Sequence, residues 1–239
     1  MAPATPVKQK SAQLDSKHVG WAVSTDPFAS ENAMTRQSAL ISFVLLLLVG
    51  CAPTGGFLVS DDAQSLGGNL FVERLDDGGA IMVLDGEIDE ETSFAFLTFL
   101  TRVRANGLVI AQSPGGSVDA AHRMGRAIKA RKMNTLVLNA CNSACVDVFV
   151  AGQQREMTDV AELGLHAPTI RTWYSWMPFV DTSEALAETY QIDRQYWSDM
   201  GFPLVNEKAY RVPNNRIWRI SPQRARELRL ATKILTPAR

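Results

Sequence analysis

Between residues 80 and 165 short apolar runs alternate with amphipathic stretches, and this alternation restricts the fold more than any other feature of the chain. Residues 80–84, 108–111 and 135–138 carry no charge and are too short for helices. Uncharged runs of this length, bounded by turn residues, read as strands buried on both faces. The tetrad Asp76-Asp77-Gly78-Gly79 precedes the first of them and Asp85-Gly86 closes it. Asp89 can cap a helix reaching Arg104, with Glu90 and Glu91 in its first turn and Phe96, Leu100 and Val103 on one face. Asn106-Gly107 ends it. Ser117 can cap a second helix with Val118, Ala121, Gly125 and Ile128 on one side. Residues 143–151 form a third, which has Asp147 as its one charged residue and stops at Gly152. Residues 69–75 read as a further strand. Residues 183–200 read as a helix with Ala187, Tyr190, Arg194 and Trp197 near one face. Strands alternating with helices mean an α/β fold and a largely parallel sheet.

Three pieces of this frame carry chemistry. Ser113-Pro114-Gly115-Gly116 is a tight turn after an apolar strand. Ser143 sits between strand and helix in Cys141-Asn142-Ser143-Ala144-Cys145, and His166 follows in Gly164-Leu165-His166-Ala167-Pro168. A serine becomes a useful nucleophile when an imidazole takes its proton. The resulting oxyanion needs backbone N–H donors. Gly115 or Gly116 can supply one, and Ala144, at a helix start, another. The ordinary alternative for Ser143 is a helix N-cap, and for His166 a structural histidine in a turn. His122 falls in mid-helix, where a surface role is expected. His18 lies in the N-terminal stretch set aside below, and Lys129 and Lys132 end a helix, poorly placed for a Ser–Lys pair.

The order strand, Ser-Pro-Gly-Gly, helix, strand, serine at a helix start, helix, Gly-x-His-x-Pro resembles the proteolytic subunit of Clp protease, within the wider ClpP/crotonase fold. The similarity covers residues 80–168 and resumes weakly over 216–232, where 221–228 is similar to the family's closing helix. The resemblance implies stacked ββα units, a Ser143–His166 pair and a backbone oxyanion hole, and it implies self-association into a homo-oligomer. It also implies an acid that orients the histidine. Counting back from the closing helix leads to 212–215, which offers Asn214 and Asn215 and no carboxylate. An asparagine oxygen can orient an imidazole but cannot stabilise imidazolium by charge. Asp181 and Asp193 are other candidates. The chain also departs from the family in lacking glycines just before the serine.

The N-terminal third reads as an address. Residues 1–33 are polar and without periodicity, as in a disordered or mis-assigned extension. Met34-Thr35-Arg36-Gln37 then leads into the apolar run 39–50, too short to span a bilayer and suited to a signal peptide over 34–50. Leu48-Val49-Gly50-Cys51 resembles the lipobox of bacterial lipoproteins, which implies lipid on Cys51 and a flexible tether over 51–68. Ala52, in place of Asp, implies the periplasmic side of the outer membrane in a Gram-negative cell. Of the three cysteines, Cys141 and Cys145 are then left in an oxidising compartment, where they either pair or remain as two buried thiols.

A hydrophobic content of 46% suffices for one domain over 69–239. The aromatic-rich segment 169–212 reads as an insertion that lines a cleft or packs as core. A net charge of −1 without a basic run argues against nucleic-acid binding. No P-loop, GxGxxG or HExxH motif points to a nucleotide, cofactor or metal. The reading is a membrane-tethered serine hydrolase acting on peptide or protein without ATP. The missing acid motivates a second, an inactive envelope lipoprotein that binds or assembles. A crotonase-type acyl-CoA enzyme ranks third.

Overall fold

The computed structural model describes residues 63–74, 80–169 and 183–236. Cys51, the signal segment, Asp181 and the aromatic block 170–179 lie outside the described residues.

The uncharged runs form the strands expected of them. β1 (Gln64–Gly67) and β2 (Leu70–Arg74) make an antiparallel pair, followed by β3 (Ala80–Asp85). Helix α1 (Glu90–Arg102) leads to β4 (Gly107–Gln112), and α2 (Val118–Arg131) to β5 (Asn134–Val137). Then come β6 (Ala140–Asn142), α3 (Ala144–Val150), β7 (Arg155–Thr158) and β8 (Glu162–Leu165). Helices α4 (Ser183–Met200) and α5 (Pro203–Ala209) precede β9 (Trp218–Ile220), α6 (Pro222–Glu227) and β10 (Lys233–Leu235). One sheet has the order β1-β2-β3-β4-β5-β7-β10, and its pairs from β3 onward are parallel. The fold is therefore mixed α/β with a mostly parallel central sheet.

A smaller sheet, β6-β8-β9, continues the first in a second layer. Single bridges lie beyond the large sheet's strands: Ile88 pairs with Gly116, and Ser113 with Cys141 of β6. Each unit thus sends one strand through the large sheet, breaks, pairs once more, and turns into a helix. β3 runs on to Ile88 and α1, β4 to Gly116 and α2, and β5 to β6 and α3.

The helix starts follow the capping rules. Asp89 Oδ1 accepts the Thr92 N–H at 2.7 Å, and Ser117 Oγ accepts the Ala120 N–H at 3.2 Å. α1 stops two residues before Arg104 because Val103 turns extended. The core lies between the large sheet and helices α1–α3. Phe96, Met124, Ile128 and Phe149 are fully buried there against Met82, Leu108 and Ile110.

Four expectations need correction. The tether does not extend to Gly68, because β1 starts at Gln64 and finds its partner in β2. Of the four residues expected near one face of α4 (Ala187, Tyr190, Arg194 and Trp197), Trp197 alone is fully buried. Ala187 and Arg194 are exposed, while Asp193, Tyr196 and Trp197 are buried. The reason is polar: His122 and Asp147 wait beneath α4, so a carboxylate turns inward. His122 itself is not a surface residue. It is 1% exposed and stacks on Tyr196 with ring centroids 3.9 Å apart. Finally β6, β8, β9 and β10 are strands that the apolar pattern does not mark, each only three or four residues long.

Candidate active site

Ser143 occupies the turn from β6 into α3, and its backbone is strained. Its φ of 54° is in the left-handed region, with ψ at −130°. A non-glycine residue there costs about 1–3 kcal/mol and persists only where its surroundings impose it. Three constraints do so here. The Ser143 N–H donates to the Gly164 carbonyl at 2.7 Å. The Asn142 N–H donates to the Ser113 carbonyl at 3.0 Å. Cys141 and Cys145, on either side, are joined by a disulfide with Cα atoms 5.3 Å apart.

Ser143 holds the N-cap position of α3 without capping it: its side chain accepts no hydrogen bond from the helix. Asp89, Ser117 and Ser221 all cap their helices through their side chains. The Ser143 hydroxyl is thus presented by the turn and not consumed by it, and it lies half-buried at the floor of a cleft. The cleft measures about 880 Å³, and Ser143, His166, Gly116, Ser117 and Ile192 line it.

The Ser-Pro-Gly-Gly turn packs directly against the serine. Gly115, at φ 97°, has no room for a side chain, since a Cβ would meet the Asn142 carbonyl at 2.6 Å and Ser143 Cβ at 2.7 Å. Its N–H donates to Ser113 Oγ at 3.2 Å. Gly116 pairs with Ile88 through its neighbours: Ile88 N–H donates to the Gly115 carbonyl and Ser117 N–H to the Ile88 carbonyl, both at 2.8 Å. The Gly116 N–H takes no part in that pairing. Ala144, the first residue of α3, has an N–H with no intrahelical acceptor. The Gly115 amide is engaged, which leaves the Gly116 and Ala144 N–H groups as the candidate donors among the described residues.

His166 follows directly on β8, the strand that pairs with β6 and so runs alongside the approach to Ser143. It lines the same cleft. Its Nδ1 lies 2.8 Å from the Ala167 carbonyl oxygen. With the proton on Nδ1, that carbonyl accepts it, and Nε2 is left with the lone pair a general base needs. The Ala167 N–H donates to the Val212 carbonyl at 2.9 Å, which draws the 212–215 segment to the histidine. Asn214 and Asn215 are exposed, and among the described residues neither they nor any carboxylate hydrogen-bonds His166.

Behind the serine lies a polar cluster that the sequence pattern does not announce. Asp147 on α3 is buried, and burial pushes its carboxyl well above the usual range, reinforced by the charge of Asp193, against a hydrogen bond from Trp197. Asp193 accepts from Tyr210 Oη at 2.6 Å and from Asn206 Nδ2 at 3.0 Å. The Tyr196 hydroxyl donates to the Asp147 carbonyl at 2.6 Å. Burial and the hydrogen bond to Asp193 push the Tyr210 phenol far up. Asp193 is thus committed to His122, Tyr210 and Asn206. A small cavity of about 30 Å³ separates this cluster from Ser143 and His166, and residues of both line it. The clue in the sequence was the charged Asp147 in an otherwise apolar helix.

No protein-family model matches the chain, and no curated protein matches it significantly.

Proposed function

We propose that the protein is a serine hydrolase of ClpP/crotonase-like fold that cleaves peptide or protein substrates without ATP. The observation that carries this reading is Ser143: a non-glycine residue at positive φ, at a helix start, whose hydroxyl caps nothing. Strain of that kind accompanies a nucleophile that must project from its turn. The successive strand–break–strand–helix units support the ClpP/crotonase-like assignment.

The reaction divides among four groups. His166 Nε2 removes the Ser143 proton as Oγ attacks the substrate carbonyl, and returns it to the leaving group. The N–H groups of Gly116 and Ala144 hold the oxyanion, the latter aided by the positive end of α3. The Ala167 carbonyl orients the imidazole, the part that an acid plays in the Ser-His-Asp arrangement. A neutral carbonyl stabilises imidazolium less than a carboxylate does, so a slow enzyme is expected. The lipobox-like run ending at Cys51 supports attachment to the cell envelope.

Labelling by a fluorophosphonate tests the reading. Wild type should react, Ser143→Ala should not, and His166→Ala should react about 10²–10⁴-fold more slowly. One observation favours a second reading, a catalytically inactive envelope protein: among the described residues no carboxylate reaches His166. A folded wild type that resists the probe would decide for it.

A further inference from the structure

Three helices bring His122 (α2), Asp147 (α3) and Asp193 (α4) to one point in the interior. His122 Nε2 is 3.1 Å from Asp193 Oδ1 and 3.6 Å from Asp147 Oδ2, and one donor atom from each residue lies within 4.8 Å of the others. None is more than 6% exposed. An ordinary hydrogen bond accounts for part of this. One imidazole N–H can bond Asp193, but it cannot also bond a carboxylate at 3.6 Å. That leaves Asp147 buried beside a second carboxylate with one imidazole between them. Among the described residues neither carboxylate forms an ion pair with a lysine or arginine, and Arg126 stands over the Tyr196 ring, 5.8 Å from its centroid. A bound cation would offset the cost of holding two carboxyl groups together in the interior.

The two separations from His122 Nε2, 3.1 and 3.6 Å, are compatible with another occupant. A cation about 2.1 Å from nitrogen and oxygen donors sets neighbouring donors about 3.0 Å apart at right angles and about 3.4 Å apart at the tetrahedral angle. A second observation points the same way. Asn206 is 2% exposed, its Nδ2 rests on Asp193, and its Oδ1 is buried with no partner among the described residues. It lines the 30 Å³ cavity together with Asp147 and Asp193.

We propose that His122, Asp147 and Asp193, with the Asn206 amide oxygen as a fourth donor, form a binding site for a first-row divalent cation. One imidazole among oxygen donors suits Zn²⁺ or Mn²⁺ and disfavours soft ions such as Cu(I). Sequence motifs cannot reveal such a site, because each donor comes from a different helix. Binding through Nε2 puts the ring proton on Nδ1, which has no partner among the described residues. A missing outer partner weakens metal affinity about 10–100-fold. The ion would clamp α4 onto α2 and α3. Because Glu188 and Ile192 of α4 line the cleft above Ser143, the clamp would hold one wall of that cleft. The site does not depend on Ser143 being reactive.

The test is a titration of the chelator-stripped, full-length protein with Zn²⁺, followed by calorimetry, and with Co²⁺, followed by its visible spectrum. About one equivalent of each should bind, with a nitrogen–oxygen Co²⁺ spectrum and a raised thermal midpoint. Asp147→Asn, isosteric and checked by near-ultraviolet circular dichroism, should bind at least about tenfold more weakly. Asp193→Asn provides the same reading should Asp147→Asn not fold. Failure of the wild type to bind overturns the proposal without any variant. So does unchanged binding in both Asp variants, or loss of binding in His166→Ala, because either would place the ion elsewhere.

Discussion

Gly115 and Ser143 are in contact without tolerance: a Cβ on Gly115 would lie 2.7 Å from Ser143 Cβ. The Ser-Pro-Gly-Gly turn and the turn carrying Ser143, to which we assign the oxyanion donors and the nucleophile, are therefore one packing unit. Gly115→Ala must displace either the Asn142–Ser143 backbone or its own, which already sits at φ 97°. Fluorophosphonate labelling should fall about 10²-fold or more. Stability should drop by about 1–3 kcal/mol in denaturant unfolding. A variant that labels at the wild-type rate would show that the two turns act separately.

The disulfide brackets the same serine. Closing so short a loop contributes about 2 kcal/mol in the chain-entropy account. Reduction by dithiothreitol, or Cys145→Ala, should lower the unfolding free energy by about that amount. It should also slow labelling of Ser143, because one of the three constraints on its φ is lost. Unchanged labelling after complete reduction would assign the disulfide to stability alone.

Asp89 permits a prediction with a pH signature. The Thr92 N–H, donated to its carboxylate, holds the Asp89 pKa below the ordinary aspartate value. A group with a lowered folded pKa adds stability above its unfolded pKa and loses it as pH falls through the folded one. At pH 7 Asp89→Ala should therefore cost about 0.5–2 kcal/mol. The difference between wild type and variant should shrink as pH drops below about 4. A cost that stays constant down to pH 2 would exclude the charged cap.

Gly125 tests the docking of α4 on α2. A Cβ there would fall 1.8 Å from Tyr196 Oη, the hydroxyl that donates to the Asp147 carbonyl. Gly125→Ala should cost about 1–3 kcal/mol by overpacking, despite the better helix propensity of alanine. Gly125→Ala combined with Tyr196→Phe should recover part of that loss, which a double-mutant cycle measures.

The sequence was most legible where local rules suffice. The uncharged runs at 80–84, 108–111 and 135–138 are strands because nothing else buries so few apolar residues on both faces. Asp89 and Ser117 start helices because a side-chain oxygen beside free N–H groups satisfies them wherever the helix goes. The turn that packs against Ser143 was legible for the same reason, since two adjacent glycines mark a close approach.

Only the tertiary structure engaged the Gly115 amide with Ser113 Oγ and set the Ala167 carbonyl beside His166 Nδ1. It alone turned Asp193 and Tyr196 inward and buried His122 between them. The burial of Asp193, Tyr196 and His122 depends on partners about 50–70 residues away in the chain, joined through single hydrogen bonds. A periodicity records how much apolar surface a segment buries. It does not record which polar group waits on the other side, and in this protein those polar partners shape both the cleft and the cluster behind it.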